Sequence, residues 1–397
     1  MLSYYKAFYL GKMKKDDERT AVYEKAEASS PLYCFPNKLE DIAVLNEAIQ
    51  ANPQGAKAYY YLGNLYYDKL RFEKATALWE KSIELDDGFP TVHRNLALAY
   101  YNKQNDAEKA KVQLEKAFAL DKTDTRVFLE LDQLYKKMET PFAVRLANFE
   151  KHKEIIADRD DAMLEFVTLY NLLGMHKEAL EMIMGHTFRP WEGAEGRISG
   201  QYKIALTELA KEAMAEQDIE HAEELLEKAL ENPLNLGEGK LEGTKDNNIY
   251  YYLGIVKEQL GKEEAEECFR KAELGVDEPA GAMYYYDQPA DMILYKGFAN
   301  RKLGNTKAAS ACFNKLMDYG ERHLYDEMKN DFFAVSLPDF LIFEDDMQRK
   351  NKAHCHYLMG LANMGIGDKE EAKRQFEKAL SYDYNHQNCR IYMKMTE

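Results

Sequence analysis

No run of about 18 consecutive apolar residues occurs anywhere in this 397-residue chain, so no segment reads as a membrane-spanning helix. The opening MLSYYKAFYLGKMKK reads as an amphipathic helix rather than a signal peptide, and a cytoplasmic location is the expectation. Cysteine is scarce: Cys34, Cys268, Cys312, Cys355 and Cys389 are odd in number, widely scattered, and form no CxxC pair. That excludes a disulfide framework and a zinc-type cluster, and predicts five reduced, mostly packed thiols with no metal and no cofactor. Positive charge is also in deficit. Lys plus Arg number 53 against 69 Asp plus Glu, a net charge of −16, which disfavours nucleic acid because phosphate binding needs clustered cations. Period-two alternation of the strand type is missing too.

A recurring pattern fills the space those absences leave. Leu-Gly is followed three residues on by Tyr or Asn, then by Ala, an aromatic and Ala. One copy is Leu62, Gly63, Tyr66, Ala75, Trp79; others run Leu96, Ala97, Tyr100, Ala110, Leu114, Ala117, and Leu253, Gly254, Ala265, Phe269, Ala272. Late copies are Gly297, Asn300, Ala309, Phe313 and Met359, Gly360, Asn363, Ala372, Phe376, Ala379. Leu62 to Leu96 is 34 residues and Leu96 to Leu131 is 35, the period of a tetratricopeptide repeat. The fold class predicted is therefore all-α: antiparallel helix pairs stacked into a right-handed α-solenoid, with more than three-quarters of the residues helical. Mid-helix glycine costs about 0.5–1 kcal/mol relative to alanine, so Gly63, Gly254, Gly297 and Gly360 imply close approach of a neighbouring helix. Leu173-Gly174, Leu260-Gly261, Leu303-Gly304 and Ile366-Gly367 mark the turns inside pairs. Asn52-Pro53 and Asn232-Pro233 end second helices.

Four regions follow: an irregular helical cap at 1–55, a first repeat block at 56–185, a helix pair flanked by glycine-rich loops at 186–248, and a second block at 249–397. The pattern is interrupted at 185–201, 232–247, 275–289 and 320–350. Connections in helical proteins are usually short, so such breaks are either functional or mark the ends of sub-blocks.

The breaks also carry a resemblance. YCFPN (33–37), YYYLGNLYYDK (59–69), FRPWEGAEGRISGQY (188–202), NLGEGK (235–240) and FFAVSLPDFLIFEDDMQRKN (332–351) together resemble large bacterial tetratricopeptide-repeat proteins with an N-terminal mutarotase-like domain of unknown function. The resemblance spans nearly the whole chain and implies that this is the C-terminal repeat half of such a protein. It further implies a connection with carbohydrate. No catalytic residue can be carried over, since the mutarotase-like part is not represented.

Site candidates concentrate in two loops. Arg189, Trp191, Glu192, Glu195 and Arg197 belong to the first, and Asn235, Glu238 and Lys240 to the second. Glycine amides and a flat indole suit a sugar ring or a peptide side chain, while the same residues could simply fold the loops together with Trp191 as a plug. The loops flank one antiparallel helix pair, so they are predicted to touch at one end of it, with Arg189 or Lys240 pairing to Glu192, Glu195 or Glu238. A glycosidase-like pair, Glu192 and Glu195, would need a fixed separation that the sequence does not supply, and solvated surface is the simpler reading. His354-Cys355-His356 has too few ligands at workable spacing for zinc. Tyr59–Tyr61, Tyr250–Tyr252 and Tyr284–Tyr286 are predicted to put one ring into packing and others toward a groove. Groove candidates are Tyr60, Asn64, Asn95 and Arg126. Chaperone-binding tetratricopeptide domains resemble this fold and grip a terminal carboxylate with Lys, Asn and Arg. Here Asn64, Asn95 and Arg126 fit, but Tyr60 and Glu130 stand where cations are needed, which argues against that clamp. The function expected is a non-enzymatic interaction scaffold, its partner another protein or its own N-terminal domain. The alternative is the helical half of a carbohydrate-binding or carbohydrate-processing protein.

Overall fold

The computed structural model describes residues 1–189, 194–241, 243–281, 288–328 and 342–397. Two compact units result: residues 1–138 with 342–344, and residues 139–341 with 345–397. The first holds α1 (Leu2–Lys12), α2 (Asp16–Ala28), α3 (Leu39–Ala51), α4 (Ala56–Asp68), α5 (Phe72–Leu85), α6 (Pro90–Gln104), α7 (Ala107–Leu120) and α8 (Thr125–Lys137). The second begins with α9 (Phe142–Lys151), α10 (Lys153–Ile156), α11 (Asp160–Leu172), α12 (His176–Gly185), α13 (Arg197–Ala215) and α14 (Ile219–Ala229). A 3-10 turn at Leu234–Leu236 precedes α15 (Asn247–Gln259) and α16 (Ala265–Ala272). The remainder is α17 (Asp291–Lys302), α18 (Thr306–His323), α19 (Met347–Ile366), α20 (Lys369–Tyr382) and α21 (Gln387–Lys394). No strand occurs among the described residues, and no helix there is long and apolar enough to cross a membrane.

The fold is all-α, and within each unit repeated helix pairs pack on one another in the manner of an α-solenoid. Among the described residues helix content falls somewhat below the expected three-quarters, because 186–189, 194–196, 230–241 and 243–246 carry no α-helix. Local chemistry sets the helix starts. Asp106, Asp124, Asp218 and Asp368 each accept a backbone N–H in the first turn of α7, α8, α14 and α20, satisfying a donor the helix cannot.

The mid-helix glycines are explained by the aromatic of their own partner helix. A Cβ on Gly63 would lie 2.5 Å from the Trp79 ring; on Gly254, Gly297 and Gly360 it would lie 2.5, 2.2 and 2.3 Å from Phe269, Phe313 and Phe376. The glycine is the hole, the ring is the knob, and neither is useful alone. The second-helix alanines Ala75, Ala110, Ala179, Ala222, Ala309 and Ala372 are buried at the same seam. Ala265 departs from this pattern: it is only half-buried because α16 begins at it.

Turns inside the pairs all use left-handed backbone. Gly174, Gly261, Gly304 and Gly367 supply it at the four positions the sequence marks. Lys14, Leu70, Asn105, Glu139 and Gln217 supply it in the other pairs with φ between 54° and 63°, where a side chain costs about 1–2 kcal/mol. The thiols are packed as expected, since Cys268, Cys312, Cys355 and Cys389 are buried and unbridged. Burial pushes the Cys355 thiol up to about 12.

Candidate functional site

The two glycine-rich loops lie in the second unit and touch. Asn235 donates from Nδ2 to the carbonyls of Ile183 at 2.8 Å and His186 at 2.9 Å, and its own carbonyl accepts the Phe188 N–H at 2.8 Å. Glu238 reaches across to the start of α13, where Oε2 accepts the Gly196 N–H at 2.8 Å and Oε1 the Ser199 N–H at 3.1 Å. A carboxylate at that place answers two donors the helix leaves open and complements the positive end of its dipole.

The expected pairing of Arg189 or Lys240 with a loop glutamate is corrected for Lys240. Lys240 lies 2.7 Å from Asp246 Oδ2 and donates to the Leu230 carbonyl at 2.7 Å, while Lys203 sits 2.6 Å from Asp246 Oδ1. Asp246 is only 4% exposed at the start of α15, and a buried carboxylate draws the cations that a solvated glutamate does not. Arg189 bonds through its backbone N–H to Asp160 at 2.8 Å, beside the His186–Asp160 contact at 2.7 Å. Glu195 and Arg197 stand on the exposed rim. Trp191 and Glu192 lie outside the described residues, as do Tyr284–Tyr286. Asn235 Nδ2, both Glu238 carboxylate oxygens and Lys240 Nζ thus each bond backbone of the surrounding chain.

The groove candidates of the first unit form a polar chain. Trp79 Nε1 donates to Asn64 Oδ1 at 3.0 Å and to the Tyr60 carbonyl at 3.2 Å, and Asn95 Nδ2 donates to the same Asn64 oxygen at 3.1 Å. Tyr60 is buried edge-on against Phe89 with ring centroids 4.7 Å apart, and burial raises its hydroxyl pKa. Tyr61 is buried with it, so the 59–61 triplet sends two rings into packing rather than one. Arg94 grips Glu130 through Nε at 2.6 Å and Nη2 at 2.7 Å, with Arg126 3.8 Å away. Glu130 is 1% exposed. The chain carries its own anion where a clamp would receive a ligand's, which agrees with the argument against that clamp.

Two further features escape the sequence patterns. On α6, Asn102 Nδ2 donates to the Ile342 carbonyl at 2.8 Å while its Oδ1 accepts the Glu344 N–H at 2.9 Å. Between those bonds Phe343 is buried with its ring 4.9 Å from Tyr101, and Lys103 pairs with Glu344 at 2.5 Å. The sequence signal was the interruption at 320–350 with its apolar-acidic ending, but nothing in it names Asn102 as the receiver. The second feature is α21, which follows the last repeat and packs well beyond it.

Residues 63–104 match a family described as TPR repeat and residues 353–386 one described as tetratricopeptide repeat, so the chain carries tetratricopeptide repeats. It is similar to YrrB, described as a TPR protein with an unusual peptide-binding site, at 22% identity over 47% of this chain and 90% of that one, with TM-score 0.35. A tetratricopeptide repeat protein from Parabacteroides merdae is 12% identical over 100% and 99% of the two chains, with TM-score 0.29. Naa15/Naa10 bound to HypK-THB matches at 12% identity over 88% of this chain and 61% of that one, with TM-score 0.42. Likeness of this degree concerns the fold alone.

Proposed function

We propose that this chain is a non-enzymatic interaction scaffold whose helix-pair surfaces hold peptide segments of protein partners. The observation that carries the reading is the seat on α6. Asn102 takes both a carbonyl and an N–H from the backbone of one short segment, a bond set indifferent to side chains, as peptide capture requires. Selectivity comes from the buried Phe343 beside Tyr101 and the Lys103–Glu344 pair. The favoured ligand is therefore an extended peptide with an aromatic followed by an acid. For a repeat half of the bacterial family that the sequence resembles, the mutarotase-like domain would be one source of such a segment. Asn235 Nδ2, the Glu238 carboxylate and Lys240 Nζ are already bonded within the protein, which favours the protein-binding reading over the carbohydrate one.

The test uses a fluorescent peptide of sequence DFLIFEDD, residues 339–346, titrated into the full chain carrying Phe343→Ala and Glu344→Ala. These substitutions remove both side-chain anchors of the resident segment and leave it held by the Asn102 backbone bonds alone, so that the intact peptide outcompetes it. Micromolar binding that falls at least about tenfold on adding Asn102→Ala is expected, the loss matching two backbone hydrogen bonds. Binding indifferent to Asn102→Ala, or none, rejects the seat as a peptide site.

A further inference from the structure

A helix that merely closes a repeat stack covers the exposed face of the last pair. α21 does that, with Cys389 buried and its Sγ 3.4 Å from the Phe376 carbonyl of α20. It also touches helices far back in the second unit. Tyr392 donates its hydroxyl to Asp291 Oδ2 on α17 at 2.8 Å, with its ring near Tyr295 of α17 and Tyr357 of α19. Met395 Sδ accepts from the Tyr252 hydroxyl of α15 at 3.8 Å and lies 3.9 Å from Lys211 Nζ of α13. Gln387 exchanges amide bonds with Gln201 of α13 at 2.8 and 3.1 Å. α13, α15, α17 and α19 are the first helices of four successive pairs, and first helices line the concave face that repeat solenoids use for binding.

The segment that occupies this face looks like a ligand. Cys389, Tyr392 and Met395 are spaced three apart, so they form one stripe along a two-turn helix. His386 caps the start, its Nδ1 accepting the Cys389 N–H at 3.1 Å. The fit is incomplete at its centre. Asp291 is buried at 6% exposure, Tyr392 answers one of its oxygens, and Oδ1 has no hydrogen-bond partner among the described residues. A buried carboxylate with an unanswered oxygen costs free energy that a better donor would recover.

We propose that the inner face of the second unit is a groove for a short helical peptide, and that α21 is its tethered occupant, exchangeable for a partner helix bearing a tyrosine over Asp291 and a methionine or similar flexible apolar side chain one turn later. The site is separate from the seat on α6 and does not depend on it.

The probe is a fluorescein-labelled peptide of residues 384–397, titrated into the full chain and into full-chain variants Tyr392→Ala and Tyr392→Phe. The unmodified chain, already occupied, is expected to capture little. Tyr392→Ala loosens the tether and should capture the peptide with micromolar Kd. A peptide with phenylalanine in place of its tyrosine should bind about tenfold more weakly, the worth of one hydrogen bond to a charged group. The milder Tyr392→Phe chain should capture the peptide at an intermediate level. Absence of capture by both variants with helix content intact overturns the proposal. So does loss of helix content in both, which would make α21 a fixed part of the core.

Discussion

The two compact units are built from the same repeat and treat their inner polar groups differently. In the first, neighbouring helices answer one another: Trp79 bonds Asn64, Asn64 bonds Asn95, and Arg94 grips Glu130. In the second, Asp291 depends on Tyr392 from the last helix, 101 residues further along the chain. The repeat therefore fixes the backbone and the seam between paired helices, while the inner face is free to be closed locally or to be left for a segment from elsewhere.

The widest break of this comparison would come from the seam, which both units should share. Phe313 is 1% exposed and fills the space above both Gly297 and Gly365. Phe313→Ala should destabilise the second unit by about 3–5 kcal/mol, measured by denaturant unfolding, because the holes facing it are glycines that cannot refill the cavity. Trp79→Ala should act alike in the first unit. A cost below about 1 kcal/mol at either site would mean that the seam does not hold the pairs.

How much of this could be read from the residues follows the same division. The seam was legible because glycine, alanine and an aromatic recur at fixed spacing, and four turn glycines, Gly174, Gly261, Gly304 and Gly367, announce themselves by type. The turns at Leu70, Glu139 and Gln217 did not, since such residues seldom take positive φ. The loop residues were found but their partners were not: Lys240 went to Asp246, whose burial no local pattern reveals. The contacts of Asn102 with residues 342 and 344 and of Tyr392 with Asp291 join positions far apart in sequence. Such pairings depend on how many small helix-to-helix rotations accumulate, which the spacing of a single repeat does not encode.

A sharper test of the locally closed inner face is Glu130→Gln. Arg94 would keep one of its two hydrogen bonds and lose its ion partner, and the first unit should lose about 2 kcal/mol in chemical denaturation. The same variant leaves the Arg94 and Arg126 cations uncompensated, so an acidic peptide should bind more tightly at low salt than at high. No change in either measurement would mean that Glu130 is not the built-in anion.

Acid should separate the units next. Burial depresses the imidazoles of His176, His354, His356 and His386 in the second unit, His354 to about 4. Their folded pKa values lie below the unfolded one of about 6.5, so the unfolded chain takes up protons first and stability falls as pH drops from about 6.5 toward 4. The raised carboxyl of Asp291 works in the opposite direction over the carboxylate range and partly offsets this. His354→Gln should flatten the fall, read as the denaturation midpoint against pH. An unchanged slope would show that the buried imidazole is not responsible.

The smallest effect expected is a gain. Leu70 closes the α4–α5 turn at φ 57°, where Gly304 does the same work between α17 and α18 at 82°. Leu70→Gly should stabilise the first unit by about 0.5–1 kcal/mol, seen as a small rise in denaturation midpoint, whereas the same change at an ordinary φ would cost stability.

The contrast between the units is tested most directly by amide hydrogen exchange on the unmodified chain, comparing α21 with α17 and α19. A tethered occupant opens by itself, so the amides of residues 387–394 should exchange at least about tenfold faster than the buried amides of those two helices, with no loss of their protection. Equal protection across α17, α19 and α21 would make the last helix one cooperative body with the repeats and contradict the account.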